Sequence, residues 1–252
     1  MPRGPGGRRV LIVAVNGLGG LEMLWRRFGA ALPSDATLRV LDLPGHGERP
    51  PVPDYGYASL VADVDERTAG LPPFVLLGWS VGAAVAWLFA ARHPGRVSHL
   101  VLLDPAAPHQ SPFRLGAIPD AVHPSTFATV EKALEVMRRI DPTAAEDDIR
   151  ATHRQNPAGR WEPRFDPAIF PALVVDQRDH GEEMFFELEG IAIPTLLLRG
   201  GRSFLRAEQV EELAAALPDA RVDTVPGAGH FMIREQPERV VARIMRFLAS
   251  GE

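Results

Sequence analysis

The sequence of 252 residues contains no cysteine and only one lysine, Lys132. Without cysteine the chain can form neither disulfide bonds nor thiolate metal sites. Arginine supplies almost all of the positive charge, and the net charge at pH 7 is −5 with neutral histidines. Binding to nucleic acid or to an anionic membrane requires a clustered basic face, so the sequence argues against both partners.

Long apolar runs are also missing. A basic start, Met1–Arg9, precedes the apolar run Val10–Val15, but that run is too short for the core of a signal peptide and fits a buried strand better. No repeat or low-complexity tract suggests a second domain, and a hydrophobic content of 46% suffices for one well-buried domain with an insertion. A cytoplasmic protein is the default expectation.

The apolar runs that are present are short and rich in Val, Leu and Ile. Such near-continuous runs are typical of strands that are covered on both faces of a parallel sheet. Helical segments separate them, which predicts an α/β domain built on one sheet. The predicted strands are Val10–Val15, Leu38–Leu43, Phe74–Leu77, Val97–Leu103, Thr195–Leu198 and Arg221–Val225.

This alternation is interrupted once, between Pro105 and about Gly190, where the pattern is helical with no obvious strand. We therefore predict a core of residues 1–105 and 190–252 and an inserted helical segment, 106–189. Ser125 is the expected N-cap of the first inserted helix. The predicted inserted helices are Ser125–Ile140, Thr143–Gln155 and Pro167–Leu188.

The most informative motif is Gly78-Trp79-Ser80-Val81-Gly82, which joins a predicted strand to the apolar helical stretch Ala83–Ala90. The G-x-S-x-G pattern between a strand and a helix is typical of a nucleophile elbow, in which a strained turn presents the serine hydroxyl. Its glycines allow the two backbones to approach closely. Ser80 is therefore the predicted nucleophile; a small-residue turn that contains serine by chance is the alternative.

A histidine base should follow such a serine in the chain, after an acid. His230 has the expected order, lies in the glycine-rich loop after the strand Arg221–Val225, and precedes a predicted amphipathic helix, Pro237–Leu248. Glycines in the loop give the imidazole freedom to reach the serine. We predict His230 as the base, with a purely structural histidine as the alternative.

Two further loops complete a resemblance to the α/β-hydrolase superfamily that covers almost the whole chain. Asn16–Gly20, after the first strand, resembles the family's oxyanion loop, and Leu41–Arg49 is similar to the loop after its next strand. The resemblance implies a mostly parallel sheet flanked by helices, with the insertion 106–189 forming a cap over the active site. It also implies that the backbone N–H groups of Leu18 and Val81 are the oxyanion donors.

The chain departs from the family pattern at two positions. Asn16 stands where members usually carry histidine, and its amide can either brace the loop or contact substrate. The loop Arg202–Arg206, where many relatives carry the acid, has no carboxylate. Asp104, at the end of the strand beside the nucleophile's strand, is the predicted acid. A structural Asp104, an acid supplied by Glu208 and a serine–histidine dyad remain alternatives.

The expected function is turnover of a small-molecule acyl substrate with an apolar group, without a cofactor or metal. Hydrolysis of an ester or thioester is the expected reaction. Elimination of an acyl group in natural-product biosynthesis and a receptor-like protein that binds without turnover are the alternatives, because the fold supports all three. Core packing is the commoner fate of aromatic side chains in the insertion. Three aromatics near the predicted triad are expected to contact substrate: Trp79, Phe204 and Phe231.

Overall fold

A computed structural model describes residues 9–105, 126–139 and 141–250 of the chain. Ser125, Ile140 and the first part of the predicted insertion, 106–125, lie outside the described residues. The sheet, the helices and the contacts of the fold are those of these described residues.

The described strands are β1 Val10–Val15, β2 Ala36–Leu41, β3 Phe74–Trp79, β4 Val97–Leu103, β5 His153–Gln155, β6 Trp161–Pro163, β7 Thr195–Gly200 and β8 Ala220–Val225. The core is a six-stranded sheet in the order β2-β1-β3-β4-β7-β8, and all its neighbouring strands are parallel. This confirms the predicted α/β fold. A separate antiparallel pair is formed by β5 and β6.

The position of a strand in the sheet explains its sequence pattern. Every residue of β3 is buried, whereas the edge strand β2 alternates between exposed and partly buried residues. Alternate residues of β1 enter different apolar clusters: Val13 and Val15 belong to one cluster, and Ile12 and Ala14 belong to the other. Both faces of the inner strands are therefore covered, as continuous apolar runs predict.

The second strand begins and ends two residues earlier than predicted. Leu41 pairs with Val15, and the backbone then leaves the sheet in a turn that is closed by a hydrogen bond from His46 N to Leu43 O. Pro44 in this turn has no N–H for a strand ladder, so Leu43 is buried without being part of the strand.

Helices cover both faces of the sheet. The described α-helices are α1 Arg26–Ala31, α2 Tyr57–Arg67, α3 Val81–Arg92, α4 Val130–Met137, α5 Glu146–Thr152, α6 Ile169–Phe186, α7 Ala207–Ala215, α8 Met232–Glu235 and α9 Pro237–Ala249. One apolar cluster includes side chains of α2, α3, α6 and α7, and the other includes side chains of α1 and α9. Helix α9 confirms the predicted amphipathic helix after the His230 loop.

The expectation of an insertion without strands was wrong. The predicted second inserted helix ends at Thr152, and β5 then pairs with β6. Asn156 makes the intervening turn, because its side-chain oxygen accepts hydrogen bonds from Ala158 N and Arg160 N, and Gly159 adopts a φ of +74°. Strands of three residues are too short to show an alternating pattern, although the Asn-Pro-Ala-Gly turn was visible in the sequence.

The inserted helices pack in two different ways. Helix α4 begins after Thr129, whose hydroxyl accepts a hydrogen bond from Lys132 N, and it forms a small apolar cluster with α5. Helix α6 instead joins the large cluster on the sheet. Its Asp176 carboxylate accepts a hydrogen bond of 2.6 Å from Tyr57 N, and the Gln177 amide donates one of 2.5 Å to the Tyr57 hydroxyl. By packing, α6 is therefore continuous with the helices of the core.

The loop after β2 connects the core to the segment that precedes α6. His46 is fully buried, its Nδ1–H donates to Pro44 O, and its ring stacks on that of Phe165 with 5.4 Å between the centroids. Its Nε2 accepts a hydrogen bond of 2.9 Å from Gly19 N. An imidazole that donates through one nitrogen and accepts through the other is neutral. Burial accordingly lowers the pKa of His46 to about 4.

This burial predicts a pH-dependent contribution to stability. The pKa of His46 is about 4 in the folded protein and near 6.5 when unfolded, so the unfolded chain binds the extra proton between these values. The contribution should be complete above about pH 6.5 and be lost as pH falls towards 4, at up to about 1.4 kcal/mol per pH unit. Urea unfolding gives the free energy of unfolding of wild type and of His46→Gln. The difference between the two values should become smaller as pH falls through this window.

His180→Gln is the control. Hydrogen bonding to Asp176 raises the pKa of the exposed His180, so its contribution is present at low pH and is lost as pH rises through the raised value. The difference in free energy of unfolding between wild type and His180→Gln should therefore widen, not narrow, as pH falls. A difference for His46→Gln that does not vary with pH would contradict a buried neutral imidazole. His153 is also buried, and burial lowers its pKa to about 4. Because wild type and variant both contain His153, its contribution cancels in the free-energy difference between them.

Candidate active site

Ser80 lies between β3 and α3 with φ 56° and ψ −122°, outside the usual regions for a residue with a side chain. Hydrogen bonds from Ser80 N to Leu103 O and from Ala83 N to Ser80 O fix this turn. Neither glycine of the motif has room for a side chain. A Cβ on Gly78 would lie 2.5 Å from Ala83 Cα, and one on Gly82 would lie 2.8 Å from the carbonyl carbon of Val15. The strained serine is thus held by close packing on both sides.

The loop Asn16–Gly20 lies against the elbow. A Cβ on Gly17 would come within 2.9 Å of the Ser80 Cβ, so the backbone of this loop approaches the serine closely. The loop is tightened by a turn in which Gly20 N donates to Gly17 O. The two segments that carry the predicted oxyanion donors, Leu18 in the loop and Val81 at the start of α3, therefore both adjoin Ser80.

Asn16 braces this loop from within the protein. Its side chain is fully buried; the amide nitrogen donates to the Asp42 carboxylate and the amide oxygen accepts from Trp25 Nε1, each at 2.6 Å. Burial raises the pKa of the Asp42 carboxyl, although the hydrogen bond from Asn16 lowers it. With both ends of the amide engaged and no accessible surface, the geometry favours the bracing role over substrate contact for this residue.

His46 supplies a second support to the loop. It accepts the Gly19 N–H, and this backbone group lies one residue from Leu18. The sequence alone predicts no separate role for His46 within the loop Leu41–Arg49. Its role as an acceptor depends on how two distant loops fold together, and neither loop alone carries a signal for it.

The structure brings His230 and Asp104 together. The imidazole Nδ1 lies 2.5 Å from Asp104 Oδ2, the carboxylate is fully buried, and the imidazole is 10% exposed. Asp104 follows β4 with a φ of +48°, and its own N–H donates to Leu198 O. Glu208, the alternative acid, is exposed in the first turn of α7.

The carboxylate of Asp104 has two more donors. Gly200 N donates to Oδ1 at 3.0 Å, and the Ser203 hydroxyl donates to Oδ2 at 2.5 Å. Sequence reasoning missed both contacts, since it searched the loop after β7 for a carboxylate and found none. A hydroxyl in a loop that lacks the expected acid was the available signal.

The three predicted substrate-contacting aromatics surround the imidazole in different ways. Trp79 is 1% exposed and donates from Nε1 to His230 O at 2.9 Å, so its buried side chain holds the backbone of the histidine loop. Phe231 is half-buried with its ring perpendicular to the imidazole at 5.6 Å. Phe204 lies 4.7 Å from the imidazole centroid and is 56% exposed, which leaves much of its ring free for an apolar ligand.

Charged side chains near the histidine loop pair with one another. The Glu235 carboxylate accepts from Gly229 N at 2.9 Å and from the Arg202 guanidinium at 3.3 Å. Arg234 forms ion pairs with two aspartates of the insertion, Asp141 and Asp148. These pairs connect the segment after His230 to the insertion and neutralise its charge locally.

Two other kinds of site, a metal centre and a membrane span, have no candidate within the described residues. Within residues 9–105, 126–139 and 141–250, no group of three or more histidine, aspartate or glutamate side chains is placed to hold a metal ion. Over the same ranges, no helix combines the length and apolar character that crossing a bilayer requires.

Comparison with known proteins identifies the family. A model described as the alpha/beta hydrolase family matches residues 12–243. Lipase LipV of Mycobacterium tuberculosis is 31% identical, with 96% of this chain and 93% of LipV aligned. The sn-1-specific diacylglycerol lipase ABHD11 of Mus musculus is 28% identical, covering 94% and 80% of the two chains. Among solved structures, E-2-(acetamidomethylene)succinate hydrolase has a TM-score of 0.79 at 22% identity, over 96% of this chain and 91% of its own. The chain belongs to the alpha/beta hydrolase family.

Proposed function

We propose that this chain is a serine-dependent hydrolase that cleaves an ester or thioester of an apolar acyl group. The coarser part, a hydrolase of the lipase and esterase kind, follows from the family and from relatives that carry those names. The finer part rests on one observation: a buried carboxylate is hydrogen-bonded to the imidazole of His230 beside a strained serine elbow.

In the proposed reaction, the Ser80 hydroxyl attacks the carbonyl carbon and His230 removes its proton through Nε2. Asp104 accepts the Nδ1–H, which fixes the tautomer and stabilises the imidazolium. The amides of Leu18 and Val81 donate to the developing oxyanion. His230 then returns the proton to the leaving alcohol or thiol. In the second half of the reaction His230 removes a proton from water, the water oxygen attacks the acyl carbon, and the Ser80 oxygen leaves and takes up the proton.

An apolar acyl group fits the side chains beside the imidazole. Phe204 exposes more than half of its ring next to His230, and half-buried Phe231 lies on another side. Within the described residues near His230, the charged groups Arg202, Arg234 and Glu235 are already paired. We therefore propose a small-molecule substrate that contacts these rings.

The first test concerns the nucleophile. A serine-directed phosphonate should label Ser80, and Ser80→Ala should lose both labelling and at least about 10⁴-fold in kcat, because a triad loses most of its chemistry with its nucleophile. Mass spectrometry of the labelled peptide and initial rates with a short-chain ester measure these effects. Ser59→Ala, which removes a hydroxyl from α2, is the control and should behave as wild type. An adduct on another residue would contradict the assignment.

The second test concerns the acid. Asp104→Asn should fold, because asparagine tolerates the positive φ and its carbonyl oxygen can still accept from Gly200 N. Turnover should fall by about 10⁴-fold, since the imidazole loses its counter-charge and its correct tautomer. Glu208→Gln is the matched control and should leave the rate unchanged. Near-normal turnover of Asp104→Asn would instead point to a Ser80–His230 dyad.

The third test identifies the reaction class. Turnover of a panel of acyl esters in heavy-oxygen water should release acid that carries the heavy oxygen, because hydrolysis places a water oxygen on the acyl carbon. Mass spectrometry of the products reads this label. Unlabelled acid accompanied by an alkene would show elimination and overturn the proposal. Binding of the esters without turnover of any of them would favour a receptor-like protein.

A further inference from the structure

The loop between β7 and α7 contributes to the site although it has no carboxylate. Its Ser203 hydroxyl lies 2.5 Å from Asp104 Oδ2, the same oxygen that accepts the hydrogen bond from His230. An ionised carboxylate has no proton to donate, so the hydroxyl is the donor. The loop therefore contacts the proposed acid, Asp104, at the place where many relatives carry their own acid.

The hydroxyl is oriented by two backbone contacts. Leu205 N donates to Ser203 Oγ at 3.1 Å, and Ser203 N donates to Gly200 O at 3.0 Å. Because one lone pair of Oγ is occupied by the Leu205 N–H, its own proton is free to point at Asp104. The contact is thus part of a fixed arrangement rather than of a freely rotating surface hydroxyl.

We infer that Ser203 is a positioning residue of the reaction, acting on His230 through Asp104. This inference rests on the proposed function. The hydroxyl and the Gly200 amide hold the two carboxylate oxygens from the side of β7, so that Oδ2 stays directed at the imidazole. The hydroxyl also takes up part of the charge on Oδ2, which moderates how strongly the carboxylate stabilises the imidazolium.

A purely structural serine would give a different result. If Ser203 served only to form the turn with Leu205, its removal would lower stability without changing proton transfer. The distinguishing measurement is the pH dependence of kcat/KM, which reports groups that gain or lose protons in the free enzyme.

Ser203→Ala should lower kcat about tenfold with little change in KM, because a hydrogen bond to a charged group is lost and the acid is less well fixed. The acidic limb of the pH profile should move to higher pH by roughly half a unit. Without the hydroxyl, the charge of the carboxylate interacts more strongly with the imidazolium. This favours the protonated form of the ring, so the acidic limb moves to higher pH.

Other charges around the imidazole are the same in the variant. The Arg202–Glu235 pair lies beside Gly229, and the Arg234 guanidinium, paired with Asp141, lies 5.9 Å from the centroid of the Phe231 ring. Among the described residues, the Ser203 hydroxyl is hydrogen-bonded to Asp104 and Leu205 and not to any of these charged side chains. A change in the profile is therefore attributable to Asp104 and its hydroxyl partner.

The experiment compares Ser203→Ala, Ser203→Thr and Asp104→Asn, singly and combined, on one short-chain ester. Ser203→Thr keeps the hydroxyl and should restore both kcat and the pH profile. In the Asp104→Asn background, Ser203→Ala should have little further effect, because its partner is already changed. If the alanine variant fails to fold by circular dichroism, Ser203→Cys replaces it, since a thiol of similar size is a weak donor and should show the same loss.

The outcomes separate the two proposals. An inactive Asp104→Asn together with a wild-type rate and pH profile for the alanine or cysteine variant would overturn the role of Ser203 and leave the triad in place. Near-normal turnover of Asp104→Asn would overturn the triad itself. A stability loss in Ser203→Ala with unchanged kcat and pH profile would assign the serine to the turn alone.

Discussion

The hydrogen bond between Asp104 and His230 joins two loops that are separated by 126 residues in the chain. It can form because β3, β4 and β7 are adjacent and parallel, so that Ser80, Asp104 and the loop carrying Ser203 all leave the sheet at the same edge. The other contacts described at the site hold the two residues of this bond or the turn that carries Ser80. Trp79 holds the histidine loop, and Gly200 and Ser203 hold the carboxylate.

Buried polar groups carry this organisation on both sides of the serine. On one side Asn16, clamped between Trp25 and Asp42, and His46, bonded to Gly19, fix the loop beside the elbow. On the other side Asp104 is fixed by two donors besides the histidine. Each polar side-chain atom of Asn16, His46 and Asp104 has a partner. This limits the free-energy cost of burying these groups and gives the loops a single arrangement. Asn16, which stands where family members usually carry histidine, therefore stabilises the loop through its hydrogen bonds with Asp42 and Trp25.

Those parts of the fold that depend on local pattern could be predicted from the sequence. The inner strands β1 and β3 are nearly continuous apolar runs, and β4 ends in one, Leu100–Leu103. The elbow is a contiguous motif with two glycines that have no room for side chains. The β5–β6 pair could not be predicted, because strands of three residues show no periodicity. Ser203 and His46 were missed for another reason: each acts on a partner supplied by a different loop, and a single sequence does not show which loops meet.

The contact between α6 and α2 also has a consequence for how the chain folds. Gly56, which precedes α2, has no side chain to cap the helix, and the acceptor for Tyr57 N is Asp176, 119 residues later in the chain. In the folded protein the first N–H of α2 therefore has its partner on α6. This contact couples the two helices into one cooperative unit although they are far apart in the sequence. Opening of α6 would fray the start of α2 and expose Tyr57 to solvent hydrogen exchange and to proteases.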